Sequence, residues 1–417
     1  MLTLKKEKAK SKSLMQTLAC LSVFAYIVSA VAFEMTAETS YISTLAIYCV
    51  FAVGMLFVLQ RGSKVIVNEY SLLILFFCMF VYLRNVAENA SSSMGMQISY
   101  WTLTCSILCM LVFWMSSKYS DILNFALVAY IIGALILSVR IVNAYGGISD
   151  IIDYVSASGE NRLGNLLGNE NAIGLFLANG ILCSLIFFIR RKSKLVKTLT
   201  IMAMLLLLVM LLFTGSRKSL AFVILGVLLI LYFNYRKEKF SKKLWVLLIV
   251  VVASILLYYA VTTFEMFSTI NDRLGLLFEG VFGEGSSYET DQTREMMIAE
   301  GLAAFYEKPL FGNGTGYSDI LFSTYSHNNF VELLMNYGII GFAAYYTIYI
   351  CLLFRLWHLV KSRNLYAIYF FVYTWVQLIL GVGWVNYYER SVQIVTALAF
   401  GFIFATKNKK QELNYEI

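Results

Sequence analysis

Proline, histidine and charged residues are scarce in this sequence. The 417 residues include one proline and two histidines, and only 14% of the side chains are charged. Hydrophobic residues make up 59% of the chain, and the mean hydropathy is +0.72. A soluble domain cannot bury that much apolar surface, and a protein with a single membrane span would not need it. The composition therefore excludes a soluble enzyme and indicates a polytopic membrane protein.

Cysteine is absent from the predicted loops. All seven cysteines fall in hydrophobic runs, so none is available for a disulfide outside the membrane. The sequence also lacks a Cys-x-x-Cys motif or a Cys/His cluster of the kind that binds a metal ion. We interpret the cysteines as small apolar packing residues, and we expect neither a metal ion nor another cofactor.

The long hydrophobic runs predict the fold. We count twelve apolar runs of about 20 residues, a length that crosses a bilayer as a helix. They lie at roughly 14–33, 41–60, 66–83, 97–116, 122–139, 171–189, 198–213, 219–235, 244–264, 337–354, 364–385 and 391–406. No acidic or basic residue lies in the middle of any run. The predicted fold class is an all-α polytopic membrane protein with about twelve transmembrane helices.

The distribution of Lys and Arg predicts the topology. With both termini and alternate loops in the cytoplasm, 24 of the 33 Lys and Arg lie inside and 9 lie outside. We therefore predict nine transmembrane helices in residues 1–264, a large extracytoplasmic loop at 265–336, and three helices with a cytoplasmic tail in 337–417. The "AVA" at 30–32 also imitates a signal-peptide cleavage site. We favour a retained first helix because its run is longer than most signal h-regions.

The nine outer cations differ in type from the inner ones. Seven of the outer cations are Arg, whereas 18 of the 24 inner ones are Lys. The outer cations are Arg84, Arg140, Arg162, Arg217, Lys218, Arg273, Arg294, Lys308 and Arg390. Arginine is favoured where a planar fork grips a phosphate or carboxylate through two N–H groups. The outer face is therefore predicted to bind anions; the alternative is that these arginines pair with the 19 outer acids.

The large outer loop contains three distinct segments. In "TREMMIAEGLAAFYEK" (293–308), Ile298, Leu302 and Phe305 recur at helical spacing, which predicts a short amphipathic helix at the membrane surface. The overlapping "KPLFGNGTGYSD" holds the only proline of the chain and three glycines, which predicts a tight turn. The chain then reaches His327, which opens another helical pattern.

Four stretches share this outer placement and follow one another in a characteristic order. They are "NRLGNLLGNENAIG" (161–174), "TGSRKSL" (214–220), Arg294 followed by "KPLFGNGTGY" (308–317), and "SHNNFVELLMNYGIIG" (326–341). Together they resemble the bacterial O-antigen polymerase and ligase superfamily, and in particular the Wzy type of O-antigen or capsular polysaccharide polymerase. The resemblance covers about residues 160–345, and each motif alone is weak.

The resemblance implies a glycosyltransferase in the bacterial inner membrane with its active site on the extracytoplasmic face. The donor would be an oligosaccharide linked to undecaprenyl pyrophosphate in the membrane lipid. A polymerase would move the growing glycan onto a lipid-linked repeat unit, with a flippase and a chain-length regulator as protein partners. The close alternative is an O-antigen ligase, which transfers glycan to a lipopolysaccharide core. A lipid-linked sugar transporter is disfavoured because the span centres carry no charge. No nucleic-acid partner is expected.

The residues suggest roles within such a transfer. The leaving lipid pyrophosphate develops negative charge, which Arg217, Arg294 and Arg162 would stabilise without a metal ion. The acceptor is a sugar hydroxyl that must lose a proton, and His327 is the only histidine predicted outside. His327 is therefore the candidate general base, with a pKa near 6.5 if unperturbed. The alternative role is structural: His327 would cap the helix that follows it or hydrogen-bond within its loop.

Overall fold

The computed structural model describes residues 13–61, 63, 65–87, 93–156, 161–272, 274–275 and 289–415. In these residues every regular element is a helix. The helices are α1 (Leu14–Phe33), α2 (Ser40–Leu59), α3 (Glu69–Ala87), α4 (Ser93–Lys118), α5 (Asp121–Ala144), α6 (Ile148–Ser156), α7 (Glu170–Arg190), α8 (Lys194–Phe213), α9 (Arg217–Tyr235), α10 (Phe240–Thr263), α11 (Glu289–Glu307), α12 (Tyr317–Phe322), α13 (Asn329–Lys361), α14 (Leu365–Leu380) and α15 (Arg390–Tyr415). A 3₁₀ turn at Glu265–Phe267 follows α10.

The helices confirm an all-α polytopic membrane protein. In the described part of the chain, ten helices are long and apolar enough to cross a membrane. The two remaining predicted runs fall on α14, which has only 16 residues, and on α15. Each of the twelve predicted runs therefore coincides with a helix. The described residues contain three further helices between these, α6, α11 and α12, of which α11 corresponds to the helix predicted at 293–308.

Glycines allow the helices to approach one another closely. A Cβ atom on Gly133 of α5 would lie 2.9 Å from Val31 of α1, and one on Gly226 of α9 would lie 2.6 Å from Leu182 of α7. Small residues at such contacts are typical of helix packing in membranes. By contrast, α10 lies at the periphery of the bundle, with Val261 as the only buried residue of this helix.

Contacts between loops define two ends of the bundle. At one end, Arg390 contacts Glu34 with 2.6 Å between its Nη2 and Oε1, and the Asn329 amide donates to the Gly381 carbonyl at 2.8 Å. At the other end, Arg355 pairs with Glu69 at 2.5 Å. The first end also carries the α8–α9 turn and the start of α13, so we call it the site end.

A break in α13 shapes the site end. Gly338 has non-helical backbone angles (φ 62°, ψ −167°) in the middle of this 33-residue helix. The glycine-rich turn fills the break: the Ile339 amide donates to the Pro309 carbonyl at 2.9 Å, and the Gly314 amide donates to the Asn336 carbonyl at 2.9 Å. The turn thus supplies the backbone partners that the interrupted helix lacks, as buried backbone groups require.

The turn and the break fit each other only because both contain glycine. A Cβ atom on Gly312 would lie 2.4 Å from the Asn336 carbonyl carbon, and one on Gly338 would lie 2.4 Å from the Leu310 carbonyl oxygen. Both glycines also have positive φ values, 67° and 62°, which other residues rarely adopt. Arg84 of α3 also contacts this turn: its Nη2 donates a 2.9 Å hydrogen bond to the Gly312 carbonyl.

The predicted helix at 293–308 is present as α11, and it packs on the first part of α13. Its buried positions are Met297 and Ala304, with Gly301 between them. The predicted apolar residues Ile298, Leu302 and Phe305 are only half-buried beside this stripe. The small side chains decide the contact because they let the two helix backbones approach: a Cβ atom on Gly301 would lie 2.6 Å from Val331.

Candidate functional site

His327 lies in a short loop just before α13, at the site end. Its φ is 57°, in the left-handed region that non-glycine residues seldom occupy and that is enriched at functional sites. Its ring lies 4.2 Å from the ring of Tyr325, centroid to centroid. The cap of α13 is Asn328, whose Oδ1 accepts hydrogen bonds from the amides of Phe330 (3.0 Å) and Val331 (3.3 Å). The alternative that His327 caps this helix is therefore wrong.

A buried carboxylate organises the His327 loop. Glu332 is 1% exposed, and its Oε2 accepts a 2.8 Å hydrogen bond from the Ser326 amide. Its Oε1 accepts hydrogen bonds from the Ser318 hydroxyl (2.5 Å) and the Asn336 amide nitrogen (3.2 Å). Glu332 thus ties α12, the His327 loop and α13 together, and its bond to the Ser326 amide holds the loop that carries His327.

Arg162 is held in the loop between α6 and α7. Its Nε donates to the Thr214 carbonyl at 3.0 Å, and its Nη2 donates to Asn171 Oδ1 at 3.1 Å. Its Nη1 lies 3.5 Å from Glu170 Oε2. Asn171 in turn accepts a 2.9 Å hydrogen bond from the hydroxyl of Ser216, the cap of α9. Arg162 therefore supports the α8–α9 turn from which Arg217 projects.

Arg217 and Lys218 begin α9 at the site end. Arg217 is the first residue of the helix and is partly exposed. The N-terminus of a helix favours anions because its first amides and the helix dipole are both positive. Lys218 reaches across to the loop between α14 and α15, where its Nζ donates to the Gly383 carbonyl. Two predicted outer cations thus stand side by side at a helix end that already favours negative charge.

The positive charge of Arg294, in α11, acts on both Arg162 and His327. Burial lowers the pKa of Arg162; Glu170 raises it, and the charges of Arg217 and Arg294 lower it. The charge of Arg294 also acts on His327. Arg162 is thus coupled electrostatically to Arg217 and Arg294. His327 is coupled to Arg294 and to Lys218, and Lys218 was not among the predicted site residues.

His327 is uncharged at neutral pH in this environment. Burial, followed by the positive charges of Arg294 and Lys218, lowers its pKa from 6.5 to about 4. The value near 6.5 expected for an unperturbed histidine therefore does not hold. A bound anion would raise this pKa, because it would offset the positive charges of Arg294 and Lys218. The arrangement suits a reaction in which an anionic group binds beside the base.

Sequence reasoning missed the residues that position the site. Glu332 follows the histidine by five residues and is a lone acid in an apolar helical pattern, which was the available signal. Asn329 accepts hydrogen bonds at its Oδ1 from the amides of Asn386 (2.9 Å) and Tyr387 (3.2 Å), far away in sequence, and no local pattern announces that contact.

Among the residues that the structure describes, no group of three or more His, Cys, Asp or Glu side chains is arranged to hold a metal ion. Arg273, one of the nine predicted outer cations, lies outside the described residues. We call Arg162, Arg217, Lys218 and Arg294 the cation cluster; of these four residues, Arg294 and Lys218 act electrostatically on His327.

One comparison with known proteins finds a match, and it falls on this site. The O-antigen ligase family model matches residues 202–346. The matched region contains Arg217, Lys218, Arg294 and His327, whereas Arg162 lies before it. No curated protein matches the chain significantly. The match supports a place in the O-antigen ligase-like superfamily and a role in polysaccharide synthesis.

Proposed function

We propose that this protein is a glycosyltransferase that moves a glycan from a polyprenyl-pyrophosphate carrier to an acceptor sugar. The observation that carries the proposal is the set of four cations Arg162, Arg217, Lys218 and Arg294, of which Arg294 and Lys218 act electrostatically on a neutral His327. A pyrophosphate group offers the negative charge that such a cluster attracts. The O-antigen ligase match at 202–346 supports the same class of reaction.

The reaction can be assigned to these residues with its atoms in balance. The oxygen of an acceptor hydroxyl forms a bond to the anomeric carbon of the donor sugar, while the bond from that carbon to the pyrophosphate oxygen breaks. The lipid pyrophosphate leaves with the bonding electron pair, and Arg217 and Arg294 stabilise its charge. The hydroxyl proton passes to an imidazole nitrogen of His327.

The pyrophosphate itself would restore the basicity of His327. Its negative charges oppose those of Arg294 and Lys218, which lower the pKa of the free imidazole. The base thus becomes competent when the donor is bound, whereas it is a weak proton acceptor in the empty site. This coupling disfavours proton abstraction in the absence of donor.

We propose a polymerase as the leading function. The acceptor would then be a single lipid-linked repeat unit, and one undecaprenyl pyrophosphate would be released per cycle at the extracytoplasmic face of the bacterial inner membrane. A flippase would supply the repeat unit, and a chain-length regulator would act beside the enzyme. The second candidate is a ligase that uses a lipopolysaccharide core as acceptor, and the match at 202–346 fits either function.

The glycan phenotype of a deletion strain separates these functions. Loss of a polymerase should leave single repeat units on the carrier lipid. Loss of a ligase should leave long polymer on the carrier lipid, because polymerisation continues without transfer. An unchanged pattern of carrier-linked glycans in the deletion strain would contradict both functions.

A further inference from the structure

A cleft of about 360 Å³ opens at the site end beside the cation cluster. Its walls come from α4, α5, α7, α14 and the loops around them, and its volume is in the range typical of small-molecule sites. Every residue that lines it lies outside the matched region 202–346. The cleft is therefore formed by parts of the chain to which no role has been given above.

Aromatic rings form one wall of the cleft. Trp101 of α4 and Tyr388 lie with their ring centroids 5.7 Å apart at an angle of 38°, and Trp384 lines the same space. The indole and phenol rings are flat and apolar but carry polar edges. A pyranose ring presents an apolar face of C–H groups, which stacks on such surfaces, and hydroxyl groups at its rim.

The lining of the cleft also contains a buried acceptor without a partner. Gln377 of α14 is 4% exposed and lines the cleft, and its Oε1 accepts no hydrogen bond. A buried carbonyl oxygen left in this state destabilises a protein by about 1–3 kcal/mol. The Oε1 atom is shielded in this conformation, and a rotation of the Gln377 side chain would present it to a donor on a ligand, such as a sugar hydroxyl or an acetamido N–H group.

The charges that line the cleft do not suit pyrophosphate. They belong to Glu34, Glu389 and Arg390, and Arg390 Nη2 already pairs with Glu34 Oε1 at 2.6 Å. Burial and the neighbouring Glu34 raise the pKa of Glu389 to about 7, although Arg390 lowers it. At neutral pH this carboxyl can therefore either donate or accept a hydrogen bond, as sugar hydroxyls require. The lining suits an uncharged polar ligand.

Two contacts hold the cleft against the cation cluster. Trp384 follows Gly383, whose carbonyl accepts the hydrogen bond from Lys218. Asn329, two residues after His327, binds the backbone just before Tyr388. The loop that lines the cleft is thus tied to the start of α9 and to the start of α13, two residues after the proposed base.

We propose that this cleft binds the acceptor saccharide, stacked on Trp101, Trp384 and Tyr388 and hydrogen-bonded by Gln377 and Glu389. The inference rests on the proposed function, because it assigns the acceptor of the same transfer. The cation cluster then holds the pyrophosphate of the donor, and the cleft outside the matched region selects the sugar. Acceptor specificity is in this way separated from the chemistry of the leaving group.

Direct binding tests the assignment. The probe is the repeat-unit oligosaccharide, released by mild acid from the carrier lipid of the deletion strain and labelled with tritium. Equilibrium dialysis against the purified full-length protein should show binding that Trp384→Leu and Gln377→Met each weaken roughly tenfold, equivalent to about 1.4 kcal/mol. Inorganic pyrophosphate at the same concentrations should not displace the oligosaccharide, because it occupies the cation cluster.

The controls separate a binding defect from misfolding. Trp375→Leu removes a tryptophan from the same helix as Gln377, but Trp375 is 43% exposed and lies outside the cleft, so binding should be unchanged. Gln377→Met replaces an unsatisfied acceptor by an apolar group of similar shape, so its Tm should stay near that of the wild type. Trp384→Leu proteins are compared only where their Tm is also retained.

The possible results distinguish failure of this inference from failure of the proposed function. If the wild-type gene restores polymer but both cleft variants bind the oligosaccharide as tightly as Trp375→Leu, the acceptor binds elsewhere and the inference is overturned. Competition by inorganic pyrophosphate would overturn it as well. If the deletion strain shows no change in carrier-linked glycan, the proposed function falls and the inference falls with it.

Discussion

The cations that would bind a pyrophosphate group beside His327 also lower the pKa of its imidazole, which makes the free side chain a weak base. Burial, followed by the positive charges of Arg294 and Lys218, lowers this pKa to about 4. General bases work best when their pKa is close to the working pH. A bound pyrophosphate group reduces this conflict because its charge offsets the cations, whereas the effect of burial remains. The basicity of His327 is then a property of the enzyme–donor complex rather than of the free protein.

Because bound pyrophosphate should raise the pKa of His327, the pH profiles of kcat/KM and kcat should differ. Activity needs the neutral imidazole, so the rate falls as the pH drops through its pKa. The acid limb of kcat/KM, which reports the free enzyme, should lie near pH 4. The acid limb of kcat, which reports the complex, should lie at higher pH because bound pyrophosphate raises the pKa.

His327→Asn is the matched variant for this measurement. Asn adopts left-handed backbone angles more readily than most residues, so it keeps the φ of 57°, and Asn328 still caps α13. Activity should fall by about 10²- to 10⁴-fold with Tm nearly unchanged, and the acid limb should disappear. An active and stable His327→Asn protein would remove this histidine from the mechanism.

Arg217 should depend on the shape of its side chain as well as on its charge. Arg217→Lys keeps one positive charge at the start of α9 but loses the planar fork that binds two phosphate oxygens. We expect a strong loss of polymer, with expression and membrane insertion unchanged. Polymer at near wild-type levels from Arg217→Lys would show that the residue only contributes charge to the topology.

The same cluster predicts that no divalent cation is needed. Four basic side chains, Arg162, Arg217, Lys218 and Arg294, surround the position given to the leaving group. Purified enzyme should therefore keep its activity after treatment with EDTA. Complete loss in EDTA, followed by recovery on addition of Mg²⁺ or Mn²⁺, would contradict the assignment of the arginines.

At the scale of elements, the broken helix α13 and the glycine-rich turn form one unit. The turn satisfies the backbone groups that the break at Gly338 exposes, and the first part of α13 carries Glu332, which holds the His327 loop. The position of the base therefore depends on a contact between two segments that are about 25 residues apart in the sequence. The sequence predicted the glycine-rich turn and the helix after His327 separately. It did not predict that they pair, because the pairing is made by backbone hydrogen bonds.

Gly338→Ala should disrupt this unit. The added Cβ atom would lie 2.4 Å from the Leu310 carbonyl oxygen, at a backbone position with positive φ. The strain expected at such a site is about 1–3 kcal/mol, so Tm and activity should both fall. Gly275→Ala is the control, because nothing lies within 4 Å of its added Cβ atom. Equal Tm values for the two variants would show that the break does not constrain the site.

Several elements were predictable because long apolar runs identify membrane-spanning helices in a sequence. The helices that match the twelve predicted runs follow from the bilayer thickness alone. Glu389 and Gln377 could not be recognised, because their importance comes from a cleft assembled from α4, α5, α7 and α14. The cluster of Arg217, Arg294 and His327 was predicted from the type of residue and from outer placement, whereas Lys218 needed the contact with Gly383.

At the scale of the whole molecule, the two ends of the bundle differ in chemistry. The site end holds the cation cluster and the aromatic cleft, while the opposite end carries the Lys-rich loops, including "RRKSKLVK" at 190–197. Lys-rich loops next to spans are retained in the cytoplasm. We therefore propose that the site end faces away from the cytoplasm, where a lipid-linked sugar would be used after it is flipped across the membrane.

Cysteine labelling tests this orientation in intact cells. Glu38→Cys places a thiol on an exposed residue at the site end, and Lys192→Cys places one at the opposite end. A membrane-impermeant maleimide should label Glu38→Cys in intact cells and Lys192→Cys only after permeabilisation. The unmodified protein gives the background, because its seven cysteines all lie within helices. The reverse pattern would place the cation cluster in the cytoplasm, and a transfer that uses carrier-linked glycan outside the cell membrane would then be impossible for this protein.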